Sequence, residues 1–144
     1  MKKRILSAVF ALLVMLTIPG VTAFAMEDEG RASDYFSYTD VRCYAEGGGL
    51  ILIEVDVTAV RTMDELGASG VTIYEKQSDG SFDEVHTFYS TSTPGMTTTN
   101  SAFYSGDLYY QGVSGRQYYA TCTYYARLGN TAGAKSYSSL IITA

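Results

Sequence analysis

From residue 37 to residue 144 the chain alternates apolar and polar side chains in short runs, and each run stops at glycine, serine, asparagine or aspartate. Runs of period two predict β-strands that turn one face to a core, and no helical period follows residue 26. The run 50–59, LILIEVDVTA, is the cleanest. Ile51, Ile53, Val55 and Val57 point one way, and Glu54, Asp56 and Thr58 point the other. A slip of one residue would bury two carboxylates, so the register is strongly specified. Before it, 37–46 carries Val41, Cys43 and Ala45 on one side, and Gly47–Gly49 supplies a sharp turn.

The stretch 70–88 predicts a hairpin: Val71 and Ile73 alternate with Thr72 and Tyr74, and Ser-Asp-Gly-Ser turns the chain. Phe82, Val85 and Phe88 belong to the return strand. Asp-Gly between alternating segments is a strong hairpin signal. Residues 91–101, rich in threonine and serine around Pro94-Gly95, read as a loop or loosely held edge; sugar attachment there is a secondary reading. Strand character resumes at 102–110, continues at 118–127 and ends with 135–144. The expectation is an all-β domain, a seven-stranded antiparallel two-sheet sandwich, with a jelly roll as the second solution.

In 118–127, YYATCTYYAR, parity divides the residues. Tyr118, Ala120, Cys122, Tyr124 and Ala126 share one face; Tyr119, Thr121, Thr123, Tyr125 and Arg127 share the other. Small Ala120 and Cys122 suit a crowded interior, while threonine and arginine suit water, so the Tyr118 face points inward. The segment 115–139 resembles the last two strands of a fibronectin type III domain, a branch of the immunoglobulin-like sandwiches. Gly115 stands three residues before Tyr118, followed by Ala120 and Cys122, a glycine-containing loop and a serine-rich final strand. The resemblance implies that Tyr118 is a tyrosine corner, its ring buried and its hydroxyl bonded to nearby backbone. It extends to the hairpin segment 72–85, which resembles the family's third and fourth strands, and to 48–57, which resembles its second. The chain departs from the pattern in having no tryptophan, with Val55 near its place, and no proline before Gly115.

The N-terminus is of another kind. Lys2, Lys3 and Arg4 precede an apolar stretch, Ile5 to Ile18; Pro19-Gly20 breaks it, and Ala23-Phe24-Ala25 has the small-x-small form of a signal-peptidase site. Residues 1–25 are expected to be a signal peptide, an uncleaved anchor being the alternative. Residues 26–34 would form an acidic flexible tail, and 35–144 the single β domain. The product would be secreted or periplasmic after cleavage near Ala25. Losing three of the ten basic residues leaves seven against fifteen acidic ones, a formal charge of −8. Such a chain repels phosphate backbones, which argues against nucleic acid, and no later run is long enough to span a membrane.

Cys43 and Cys122 are the two cysteines. In an oxidising compartment two cysteines pair, so they are candidates for a structural disulfide; two buried thiols are the alternative.

Catalytic signals are sparse. His86 is the lone histidine and has no nucleophile elbow to partner. Glu54 and Asp56, two apart on one strand face, are the best acid/base pair, and a solvated outer face is their blander reading. Asp64-Glu65 and Asp79-Gly80 are weak metal candidates, and neither forms a ligand ladder. No cofactor is implied. The feature with functional flavour is the 13 tyrosines, several in adjacent pairs. Of two neighbours on a strand one faces out, which makes Tyr119, Tyr125 and Arg127 the candidate binding face. The expected function is a non-enzymatic module that binds protein or glycan surfaces. The alternatives are a small secreted polysaccharide hydrolase and a structural subunit of a surface assembly joined by edge-strand addition.

Overall fold

The computed structural model describes residues 34–144, and these form strands without any helix. The expected signal segment 1–25 and all but the last residue of the acidic tail lie outside the described residues. The strands are β1 (Phe36–Gly47), β2 (Leu50–Lys76), β3 (Phe82–Tyr89), β4 (Thr97–Gln111), β5 (Gln117–Leu128), β6 (Thr131–Ser138) and β7 (Ile142–Thr143). All pairings are antiparallel. Among the described residues no helix is long and apolar enough to cross a membrane.

The strand boundaries differ from the sequence expectation. The runs 50–59 and 71–76 belong to one strand of 27 residues, β2. Residues 97–101, expected as a loop or a loosely held edge, begin β4, which among the described residues pairs with β2 alone, and the expected last strand divides at Ser139–Ile141 into β6 and β7. The threonine-rich segment pairs because β2 continues past its first half and offers Met63–Gly67 as a partner for 97–101.

β2 is the spine of a curled sheet. Its first part lies between β1 and β4, with Ile53 opposite Cys43 on one side and Leu108 on the other. Its last part lies between β3 and β5, with Val71 opposite Phe88 and Cys122. The change of neighbours occurs at a bulge: four residues, 59–62, stand against the single position between Ser101 and Phe103 of β4. Extra residues on one strand bend it and increase its twist. β4 kinks at the same level, where Asn100 adopts φ 51°, a value asparagine tolerates better than most residues. Gly67 completes the corner. It lies so close to Met96 and Thr97 that a Cβ there would overlap the Met96 carbonyl and sit 2.7 Å from the Thr97 Cα.

The concave side holds the core. Ile51, Ile53, Val55 and Val57 of β2 are fully buried, as are Tyr118, Ala120, Cys122, Tyr124 and Ala126 of β5. The parity read from the sequence is therefore the parity of burial in both strands. Met63, Leu66 and Met96 fill the corner. Phe36 of β1 packs edge-on against Tyr124, with ring centres 6.4 Å apart.

Cys43 and Cys122 are both free thiols here, so the expected disulfide is absent. Each sulfur has another partner. The Ser139 hydroxyl donates to Cys43 Sγ at 3.3 Å, and the Cys122 thiol lies within reach of the Tyr124 hydroxyl. The buried Tyr124 hydroxyl has no hydrogen-bond partner among the described residues. Burial pushes the Cys122 thiol up to about 12 and raises Cys43 as well.

Candidate functional site

The outer face of β5 carries the residues expected to bind. Tyr119 lies flat against Tyr74 of β2, centres 4.8 Å apart and planes 10° from parallel, and Phe82 meets it edge-on at 5.0 Å. The three rings form a half-buried aromatic stack at one end of the face. Tyr125, opposite Gly67 and Ala134, is half-buried toward the other end. Arg127 is engaged with Glu65 at 3.6 Å and Asp64 at 3.8 Å. The structure thus places all three residues on one surface but occupies the charge of Arg127.

Between the two tyrosines runs a field of hydroxyls. Thr72 of β2 stands opposite Thr87 of β3 and Thr121 of β5, and Thr121 and Thr123 stand opposite Ser138 and Ser136 of β6. The hydroxyls join across the strands: Thr72 and Thr87 are 3.0 Å apart, Thr121 and Ser138 are 2.8 Å apart, and Thr123 and Ser136 are 3.1 Å apart. The field deepens into an open hollow of about 370 Å³ lined by Ser69, Thr72, Glu84, Thr87, Tyr89 and Thr123. Ser69 bulges out of register between Ala68 and Gly70, and its hydroxyl donates to the Thr123 carbonyl at 3.2 Å. Tyr89, exposed at the end of β3, walls the hollow with a free ring. The chemistry offered is rows of hydroxyl donors and acceptors, one carboxylate at Glu84 and aromatic faces at the margin. The sequence reading missed Thr72, Thr87 and Tyr89. The signal for Thr72 is the outward parity of threonine in 70–74, matched by Thr121 and Thr123 of β5; Thr87 and Tyr89 carry no comparable pattern.

Tyr118 lies beneath this sheet. Its hydroxyl accepts the Val113 N–H at 2.8 Å and donates to Glu75 Oε2 at 2.6 Å. Arg116 pairs with the other Glu75 oxygen, Oε1. The Tyr118 hydrogen bond holds the Glu75 carboxyl below its ordinary value; burial opposes this and Arg116 adds to the lowering. Tyr118 moves up, through burial first and the bond to Glu75 second. The polar tip of an interior ring is thereby satisfied by one backbone and one charged partner.

The catalytic candidates are scattered. Glu54 and Asp56 lie on an open sheet face, with Arg42 at 4.0 Å from Glu54 and 2.8 Å from Asp56. His86 stacks on Tyr110 at 5.6 Å and meets Phe88 edge-on at 4.5 Å. Asp64 accepts the Gly129 N–H at 2.7 Å, and Asp79 accepts from Ser81 within its turn, at 2.9 Å from the N–H and 2.6 Å from the hydroxyl. Among the described residues no three histidine, cysteine or carboxylate groups gather as metal ligands. No protein-family model matches the chain, and no curated protein matches it.

Proposed function

We propose that this chain is a secreted or periplasmic, non-enzymatic binding module, an immunoglobulin-like two-sheet sandwich whose hydroxyl-rich face recognises glycan. The observation that carries the reading is the open hollow beside Tyr89, where cross-bonded threonine and serine hydroxyls adjoin an exposed aromatic ring. Sugars present alternating hydroxyls and apolar ring faces, and this surface offers a counterpart for each. An open hollow suits one stretch of an extended polymer. Glu84, whose Oε1 accepts from Thr87 at 2.8 Å, adds a charge-assisted acceptor for sugar hydroxyls.

The test is retention of the purified protein on insoluble cell-wall polysaccharide and on mucin, beside Tyr89→Ala and Thr72→Val/Thr123→Val variants with unchanged thermal melts. Retention by the parent at least tenfold above both variants is the expected result. Retention by none of the three proteins, or equally by all, would overturn the reading.

A structural-subunit role has its own observation. Among the described residues β6 pairs only with β5, and beyond it Leu140 and Ile141 are 87% and 54% exposed. An edge with an apolar end can accept another strand. Concentration-dependent self-association lost on Ser136→Pro would favour it; monomers at high concentration would count against it.

A further inference from the structure

On the opposite side of the curl, β1, the first part of β2 and β4 present a three-stranded outer face that none of the described residues covers. The register sets its side chains in four rows. Tyr44, Leu52 and Tyr109 form one end row; Arg42, Glu54 and Asp107 come next; then Asp40, Asp56 and Ser105; and Tyr38, Thr58 and Phe103 close the far end. The four aromatic corners are open to water, with Tyr38 50%, Tyr44 39%, Phe103 57% and Tyr109 57% exposed. The middle is acidic, with four carboxylates against one arginine.

The charge arrangement is unusual for a surface serving stability alone. Asp40 stands directly opposite Asp56, and Glu54 directly opposite Asp107. Like charges facing across a ladder are destabilising. Arg42 relieves the first pair, at 2.8 Å from each carboxylate, but reaches Glu54 only at 4.0 Å. Asp107 has no cation within salt-bridge distance among the described residues. The face therefore retains a net negative centre that a cation from outside would neutralise.

We propose that this face docks an extended polypeptide segment bearing lysine or arginine, its cation seated over Glu54 and Asp107 and its flanking side chains on the aromatic corners. The dimensions agree. Tyr38 to Tyr44 on β1, and Phe103 to Tyr109 on β4, are each six residues apart, roughly 20 Å at ~3.4 Å per residue, and three strands are roughly 10 Å wide. An extended segment of about six residues spans that length. Ammonium and guanidinium groups are also attracted to the faces of tyrosine and phenylalanine, so the frame and the centre select the same ligand charge. The face is separate from the hydroxyl-rich hollow, and neither proposal depends on the other.

The test is fluorescence anisotropy of labelled hexalysine titrated with the purified protein at low salt, with labelled hexaglutamate as the control. Saturable binding of hexalysine alone is expected. It should weaken at least tenfold in Glu54→Gln/Asp107→Asn and at least fivefold in Phe103→Ala/Tyr109→Ala, which keeps every carboxylate. Asp83→Asn, a carboxylate lost from the distant β3, should leave it unchanged. Absence of saturable binding would overturn the proposal. So would a loss in Asp83→Asn matching that in Glu54→Gln/Asp107→Asn, which would mean undirected attraction to an acidic protein. A dimer of the parent in sedimentation, abolished by the same face variants, would give the face to a second copy and overturn it as well.

Discussion

Glu75 occupies a position on β2 that would hold an aliphatic side chain if the alternation of Val71 and Ile73 were carried one step further. It is buried, yet its two oxygens are engaged by Tyr118 and Arg116. Tyr118→Phe would leave the Val113 N–H without its partner and Glu75 with one donor fewer. The expected cost is about 1–2 kcal/mol, read as a shift in urea midpoint. The pH dependence has a definite sign. A carboxyl held below its ordinary value contributes stability that is complete above the unfolded pKa, about 4.5, and lost as pH falls through the lower folded value. Parent stability should therefore drop with acidification below that point, and Tyr118→Phe, which removes the largest cause of the lowering, should drop less steeply. Equal slopes in the two proteins would show that other carboxyls set the acid limit. The burial of Tyr118 was legible in the sequence through its parity. Its partner was not named, although a carboxylate on a buried parity is itself a signal that something must neutralise it.

At the scale of the element, β2 shows where period-two patterning stops being informative. Ile51 to Val57 and Val71 to Ile73 obey the alternation, and both stretches were legible. Between them the bulge at 59–62 and the out-of-register Ser69 break the parity, so one strand reads as two. A bulge has no hydrophobic signature of its own, because its extra residues face neither side consistently. Gly67 carries the corner through close approach: a methyl group there meets the backbone of Met96 and Thr97, which has no flexible end to yield. Its φ of 155° adds to the difficulty for an L side chain. Gly67→Ala is expected to cost about 2–3 kcal/mol, in the range of overpacked interiors. Gly70→Ala, three positions on, would meet only the Phe88 carbonyl oxygen at 3.8 Å, an ordinary contact. It should be neutral or slightly stabilising, since glycine inside a strand gives up backbone entropy without packing a side chain. Equal effects of the two substitutions in thermal melts would remove Gly67 from its structural role.

At the scale of the whole molecule, the two outer faces differ in chemistry while sharing one spine. The hydroxyl-rich face lies over the last part of β2 and the acidic, aromatic-framed face over the first. Because β2 contributes to both, neither half has a core without the other, and unfolding should be a single transition. The cysteines report on this directly. Cys43 belongs to β1 and Cys122 to β5, strands that do not pair but pack against each other where the sheet curls, and the structure leaves both thiols free. Cys122 is fully buried and held protonated, its thiol pushed up to about 12, so it should resist alkylation until the fold opens. Pulsed alkylation across a urea series, without reductant, is expected to label two thiols per chain, with Cys122 labelled at the midpoint at which the strand circular dichroism is lost. Cys43, nearer the surface, should follow the same midpoint if β1 leaves only with the rest of the sheet. Labelling of Cys43 well below that midpoint would mean that β1 peels from β2 while β5 stays packed, and the curl would then be two cooperative units. No labelling of either cysteine even in the unfolded chain would mean that the pair is oxidised, and that β1 and β5 approach more closely than two free thiols require.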